Sequence, residues 1–120
     1  MGSVRVHVVL AAAAASLLFG QAALAASAEN GKKAYVQNGC WQCHGFEGQG
    51  SVASSGGRVI ADTQLPLDAF MSYVRSPTGA MPPYRAQMVS DGDLADIYAY
   101  IESRPKPKSA QDIPLLQQGR

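Results

Sequence analysis

The sequence predicts a small all-α domain whose core is completed by something other than its own side chains. Three segments read as helices, at about 29–38, 67–75 and 91–103. The first 25 residues read as a removable leader. The 95 residues beyond it hold only 16 Leu, Ile, Val and Phe, about 17%, which is thin for a self-sufficient core. A small exported domain of that kind recruits a staple: disulfides, a metal or a bound apolar cofactor.

Each part of that expectation has its own residues. Arg5 and His7 precede an apolar run from Val8 through five alanines to Phe19, and Ala23-Leu24-Ala25 closes it with small residues. This is the layout of a secretory signal peptide, with Ala26-Ser27-Ala28 as a second cleavage option. The run falls short of the roughly 20 apolar residues needed to span a membrane, and no cysteine is placed to carry a lipid there. Residues 26–104 then form the domain and residues 105–120 an extended tail. In the last helix Leu94, Ile97, Tyr98 and Ile101 repeat at helical spacing, Ser90 is placed to cap it and Pro105 to end it. Residues 45–64 show no period. With 10 basic and 9 acidic side chains, a net charge of +1, the chain lacks the clustered cations of a nucleic-acid binder.

The two cysteines stand in Cys40-Trp41-Gln42-Cys43-His44. A disulfide across two residues closes too small a loop to restrain the unfolded chain, and a thioredoxin-like pair lacks its βαβ setting. A zinc site needs more ligands, and the other histidine, His7, lies in the leader. C-x-x-C-H is the attachment signature of c-type haem. On one helical turn positions i, i+3 and i+4 share a face, so Cys40 and Cys43 reach the two vinyl groups of one porphyrin and His44 faces the iron. One motif means one haem.

At these residues the chain resembles the class I cytochromes c, over about Glu29 to Arg104. Gly31 with Tyr35 matches the family's first helix, Tyr100 the aromatic of its closing helix, and Gly45, Gly48 and Gly50 the glycine-rich loop after the haem motif. The resemblance implies the cytochrome c fold: three to four short helices wrapped around one covalent haem, with Gly31 allowing the helices to approach. It departs at Ser55-Gly56-Gly57-Arg58-Val59, where the family commonly has a Gly-Pro pair whose proline carbonyl accepts the histidine N–H. The carbonyl that serves His44 is left open. Similar arginines imply that Arg58 reaches a propionate; a solvated Arg58 is the alternative.

The second axial ligand is one of three methionines. Met71 falls on the apolar face of the second long helix with Phe70 and Val74 and reads as core. Met88, just before Ser90, reads as a residue packed at the helix start and is the fallback ligand. Met81 stands in Thr78-Gly79-Ala80-Met81-Pro82-Pro83-Tyr84, where two prolines enforce a stiff irregular loop. Similar cytochromes place the ligand in such a Met-Pro segment, so the expected axial pair is His44 and Met81. A soft thioether opposite imidazole favours Fe(II) and leaves no open iron position. Trp41, between the cysteines, reads as a cover on the motif turn or an exposed ring rather than as an electron conduit.

The functional expectation is a periplasmic carrier of single electrons. Its partners would be redox proteins such as a periplasmic dehydrogenase and a terminal oxidase, with no stable membrane anchor after leader cleavage. The alternatives are a dedicated cytochrome subunit of a dehydrogenase and, in a different class, a five-coordinate haem sensor or enzyme. A disulfide-bonded module without cofactor is the remaining contrast.

Overall fold

The computed structural model describes residues 25–51 and 56–118; apart from Ala25, the expected leader lies outside them. Helix α1 is Ala28–Gln37, α2 Trp41–His44, α3 Leu67–Arg75 and α4 Asp91–Glu102. No strand occurs among the described residues, so the all-α expectation holds and the long helices fall within a residue of their expected ends.

Local chemistry starts each helix. Ser27 caps α1, its Oγ accepting from Asn30 N at 3.2 Å. Its own backbone N–H donates to Asp96 Oδ1 at 2.6 Å, fastening the start of α1 to α4. Ser90 begins α4 in a reciprocal capping box with Asp93, which satisfies donors that the first turn leaves unpaired. Val89, just before this cap, is fully buried, and Leu94 is 2% exposed; these two form the apolar staple across the helix start. Met88 had been expected to pack there, yet it is 64% exposed. The shorter, branched Val89 takes the inward position next to the cap.

The core joins Ala34 and Tyr35 of α1, Phe70 and Val74 of α3, and Leu94, Ile97, Tyr100 and Ile101 of α4. Tyr100, rather than Tyr98, completes the buried stripe of α4. Tyr98 lies half-buried at its edge, tilted against Phe70 at 5.5 Å, with its hydroxyl donating to Leu65 O at 2.7 Å. The amphipathic hydroxyl explains the difference, since the ring packs while the oxygen reaches a loop carbonyl. Met71 packs partly buried against the core, as expected.

Helices α1 and α4 meet backbone to backbone. A Cβ placed on Gly31 would stand 1.9 Å from Asp96 O and 2.9 Å from Ile97 N, so no larger residue fits without separating the helices. Close by, the Tyr35 and Tyr100 rings tilt together at 5.5 Å.

Beyond Pro105 the chain is less extended than its prolines suggest. A 3₁₀ turn at Ala110–Asp112 leads into a single turn, α5, at Pro114–Gln117. Ser109 Oγ donates to Asp112 Oδ2 at 2.6 Å, and Pro114 occupies the first helical position, where a missing N–H costs nothing. Leu115 and Leu116 remain exposed.

Gly31→Ala should destabilise the protein by roughly 1–3 kcal/mol through overpacking. A guanidinium titration followed by far-ultraviolet circular dichroism checks this; an unchanged midpoint would contradict the close approach.

Candidate haem-binding site

The end of α1 delivers the cysteine motif. Asn38 Nδ2 donates to Ala34 O at 2.8 Å, Gly39 turns the chain at φ +73°, and Cys40 N donates to Tyr35 O at 3.1 Å. His44 N then bonds back to Cys40 O at 3.1 Å and Gly45 N to Trp41 O at 2.9 Å. The motif is therefore one helical turn, with Cys40, Cys43 and His44 facing a single cleft of about 1050 Å³.

Two buried tyrosines hold the exit of that turn. Tyr35 Oη donates to Gly45 O at 2.7 Å, and Tyr100 Oη donates to Phe46 O at 2.8 Å. The α1–α4 contact thus positions the backbone immediately after His44. Arg104 adds an outer tie: it lies 5.0 Å over the Tyr100 ring and donates to Glu47 Oε2 at 2.9 Å. Hydrogen bonding from that guanidinium holds the Glu47 carboxyl below its usual value. Trp41 stacks on Phe46 at 4.5 Å and does not line the cleft; it covers the motif turn, as expected.

The glycine-rich loop closes over the histidine. His44 Nδ1 lies 2.7 Å from Arg58 O. A carbonyl only accepts, so Nδ1 carries the proton and the Nε2 lone pair is left for a metal. A Cβ on Gly57 would stand 1.8 Å from Cys43 O. Only glycine lets this strand of loop lie against the motif and bring the next carbonyl to the imidazole. Arg58 itself is exposed at the cleft rim. The sequence signal for this contact is the Gly56-Gly57 pair, whose second member the close approach requires.

Met81 enters the cleft from the opposite chain segment. Met71 and Met88 do not line it. Tyr84, three residues beyond Met81, ties this segment down: its N–H donates to Val74 O at 3.1 Å and its Oη to Asn38 O at 3.3 Å. The structure thus brings Cys40, Cys43, His44 and Met81 to one cleft, whose walls include Phe70, Val74, Leu94, Ile97 and Ile101.

Two thiols, one imidazole and one thioether on apolar walls fit a covalently attached haem in size and chemistry. They fit other readings of the motif poorly. Cys40 and Cys43 are not joined in a disulfide. Burial pushes the Cys40 thiol up to about 11, opposite to the depressed value of a redox-active C-x-x-C thiol. Among the described residues no group of three or more His, Cys, Asp or Glu is placed to hold a metal by itself. A second hollow of about 360 Å³, between the starts of α1 and α4, is lined by no Cys, His or Met.

A family model described as cytochrome c oxidase, cbb3-type, subunit III matches residues 26–101. The chain belongs to this family of c-type cytochromes. Its cofactor is accordingly haem c, with iron. Cytochrome c-555 of Methylococcus capsulatus (strain ATCC 33009 / NCIMB 11132 / Bath) is 36% identical over 75 residues, which cover 62% of this chain and 60% of that protein. The chain thus spans about three-fifths of the length of the curated relative it matches. No solved structure matches it. Among the described residues no helix is long and apolar enough to cross a membrane.

Burial drives the Tyr35 phenol far above its ordinary value near 10 and raises those of Tyr84 and Tyr100. The folded state therefore keeps protons that the unfolded state releases. This stabilisation is complete below about pH 10 and is lost as pH rises further. Chemical stability should stay level towards pH 10 and then fall, with tyrosinate absorbance rising as the protein unfolds. Tyr35→Phe should flatten that alkaline loss, while costing about 0.5–1.5 kcal/mol at neutral pH through the lost bond to Gly45 O.

Proposed function

We propose that this protein is a periplasmic carrier of single electrons, with one haem c tethered by Cys40 and Cys43 and its iron held between His44 and Met81. The observation that supports this most is the convergence of a Met81-bearing loop and the His44 imidazole on one apolar cleft. Haem supplies one-electron Fe(II)/Fe(III) chemistry when bound. The chain's residues do the rest. Arg58 O fixes the His44 ring and its tautomer, raising the imidazole's basicity. Apolar walls exclude water and lower the local dielectric. Met81 and His44 would together hold the iron, and a soft thioether there would favour the reduced state and leave no place for substrate. Such a site suits outer-sphere transfer to redox protein partners, a dehydrogenase as donor and a terminal oxidase as acceptor. The leader read in residues 1–25 supports export.

A second reading makes the domain a fixed subunit of a larger respiratory complex. The family description, which names an oxidase subunit, favours it. Gel filtration of the natively purified protein separates the two readings: a free carrier elutes as a small species, a subunit with its complex.

Optical spectra of the purified protein, oxidised and reduced, test the ligation. Sharp low-spin reduced peaks and the long-wavelength methionine-to-ferric-iron band are expected. A high-spin spectrum that shifts with carbon monoxide would point to an open iron and to the sensor or enzyme class. Met81→Ala should lower the reduction potential and admit carbon monoxide, whereas Met88→Ala should do neither. Cys40→Ala and Cys43→Ala should each impair covalent attachment; normal two-thioether haem in both would sink the assignment.

A further inference from the structure

The Met81 segment has little secondary structure of its own, yet it must return a soft, weakly held ligand to one place. It runs from the end of α3 at Arg75 to the start of α4 at Asp91. Its prolines stiffen residues near Met81, but stiffness does not fix where the segment sits against the domain. Tyr84 contributes to that placement through Val74 O and Asn38 O, and one further side chain adds three contacts. Arg75 Nη1 donates to both Tyr84 O and Val89 O, each at 2.8 Å, and Arg75 Nη2 pairs with the Asp91 carboxylate. The backbone bond from Tyr84 N to Val74 O lies beside it.

We propose that Arg75 is a positioning residue for the axial methionine, a clamp that gathers the far end of the loop and the start of α4 onto the end of α3 and so sets how firmly Met81 stays on the iron. This rests on the His44–Met81 reading above. Arg75 does not line the cleft, so it acts only through the loop.

The geometry needs arginine. A planar guanidinium presents several fixed donors and spans two carbonyls and a carboxylate at once, whereas a lysine ammonium is a point charge on a flexible stem. Arg75 is largely covered while Asp91 is mostly exposed, 23% and 72% respectively, so the carbonyl bonds, shielded from water, matter more than the ion pair. The closing half of the loop, Tyr84 to Val89, is held at both ends by the same group. Losing the clamp leaves the Met81 segment held only through Tyr84, while the Gly31–Asp96 contact of α1 and α4 involves none of its partners.

The test uses the haem-loaded full chain as wild type, Arg75→Gln, Arg75→Lys and Asp91→Asn. The ferric methionine–iron band and far-ultraviolet circular dichroism are followed together through a guanidinium titration, and carbon monoxide binding to the ferrous form is measured in buffer. In Arg75→Gln the band should disappear well before helicity, and apparent carbon monoxide affinity should rise at least about tenfold, as expected for lost charge-assisted hydrogen bonds. Arg75→Lys should resemble Gln, and Asp91→Asn should stay near wild type. If band and helicity are lost together in every variant and carbon monoxide affinity is unchanged, Arg75 is merely structural and the inference is overturned. Should Arg75→Gln yield no folded protein, Arg75→Lys decides by the same two readouts. Absence of the band from the wild type overturns the Met81 reading itself, a separate failure.

Discussion

Backbone contact between α1 and α4 is the constraint on which the rest depends. At Gly31 the helices lie so close that a single methyl group would collide with Asp96 O. The approach brings Tyr35 and Tyr100 side by side, and their hydroxyls reach the two carbonyls that follow His44. The haem motif is thus suspended from the helix pair by side chains rooted in its core. Two independent structures, a helix crossing and a cofactor-attachment turn, become one mechanical unit. The rigidity matters because an iron that changes charge does so fastest when its ligands need not move.

A second set of contacts builds the opposite wall. Tyr84 bonds to the end of α3 through its backbone and to Asn38 through its hydroxyl. Asn38 precedes Cys40 by two residues, so the Met81 segment is linked directly to the chain that leads into the attachment turn. The two sides of the site are therefore tied to each other as well as to the core. Their separation is set by protein bonds.

Much of this was legible from residue order. The helices announced themselves by apolar spacing and by Ser90 and Pro105, and the chemistry by five consecutive residues. Met81 stood out because prolines denied its segment a helix. What escaped were relations between distant backbones. The partner of His44 is a carbonyl, and every residue has one, so no side-chain pattern marks Arg58. Its selection depends on the fold of a glycine-rich loop. Nothing in the sequence marks Arg75 either, since its acceptors lie 9 and 14 residues away on a loop without period. Val89 displaced Met88 from the helix start because burial there rewards the nearer, branched chain.

The bond from His44 to a main-chain oxygen also separates two properties that proteins often have to trade against each other. The imidazole's orientation depends on the path of residues 57 and 58, and hardly at all on which side chain residue 58 carries. That side chain stands at the rim of the cleft, where it contributes to the charge an approaching molecule meets. A neutral or acidic residue at position 58 would change that charge while keeping the carbonyl that orients the His44 ring. The glycine before it has no such latitude.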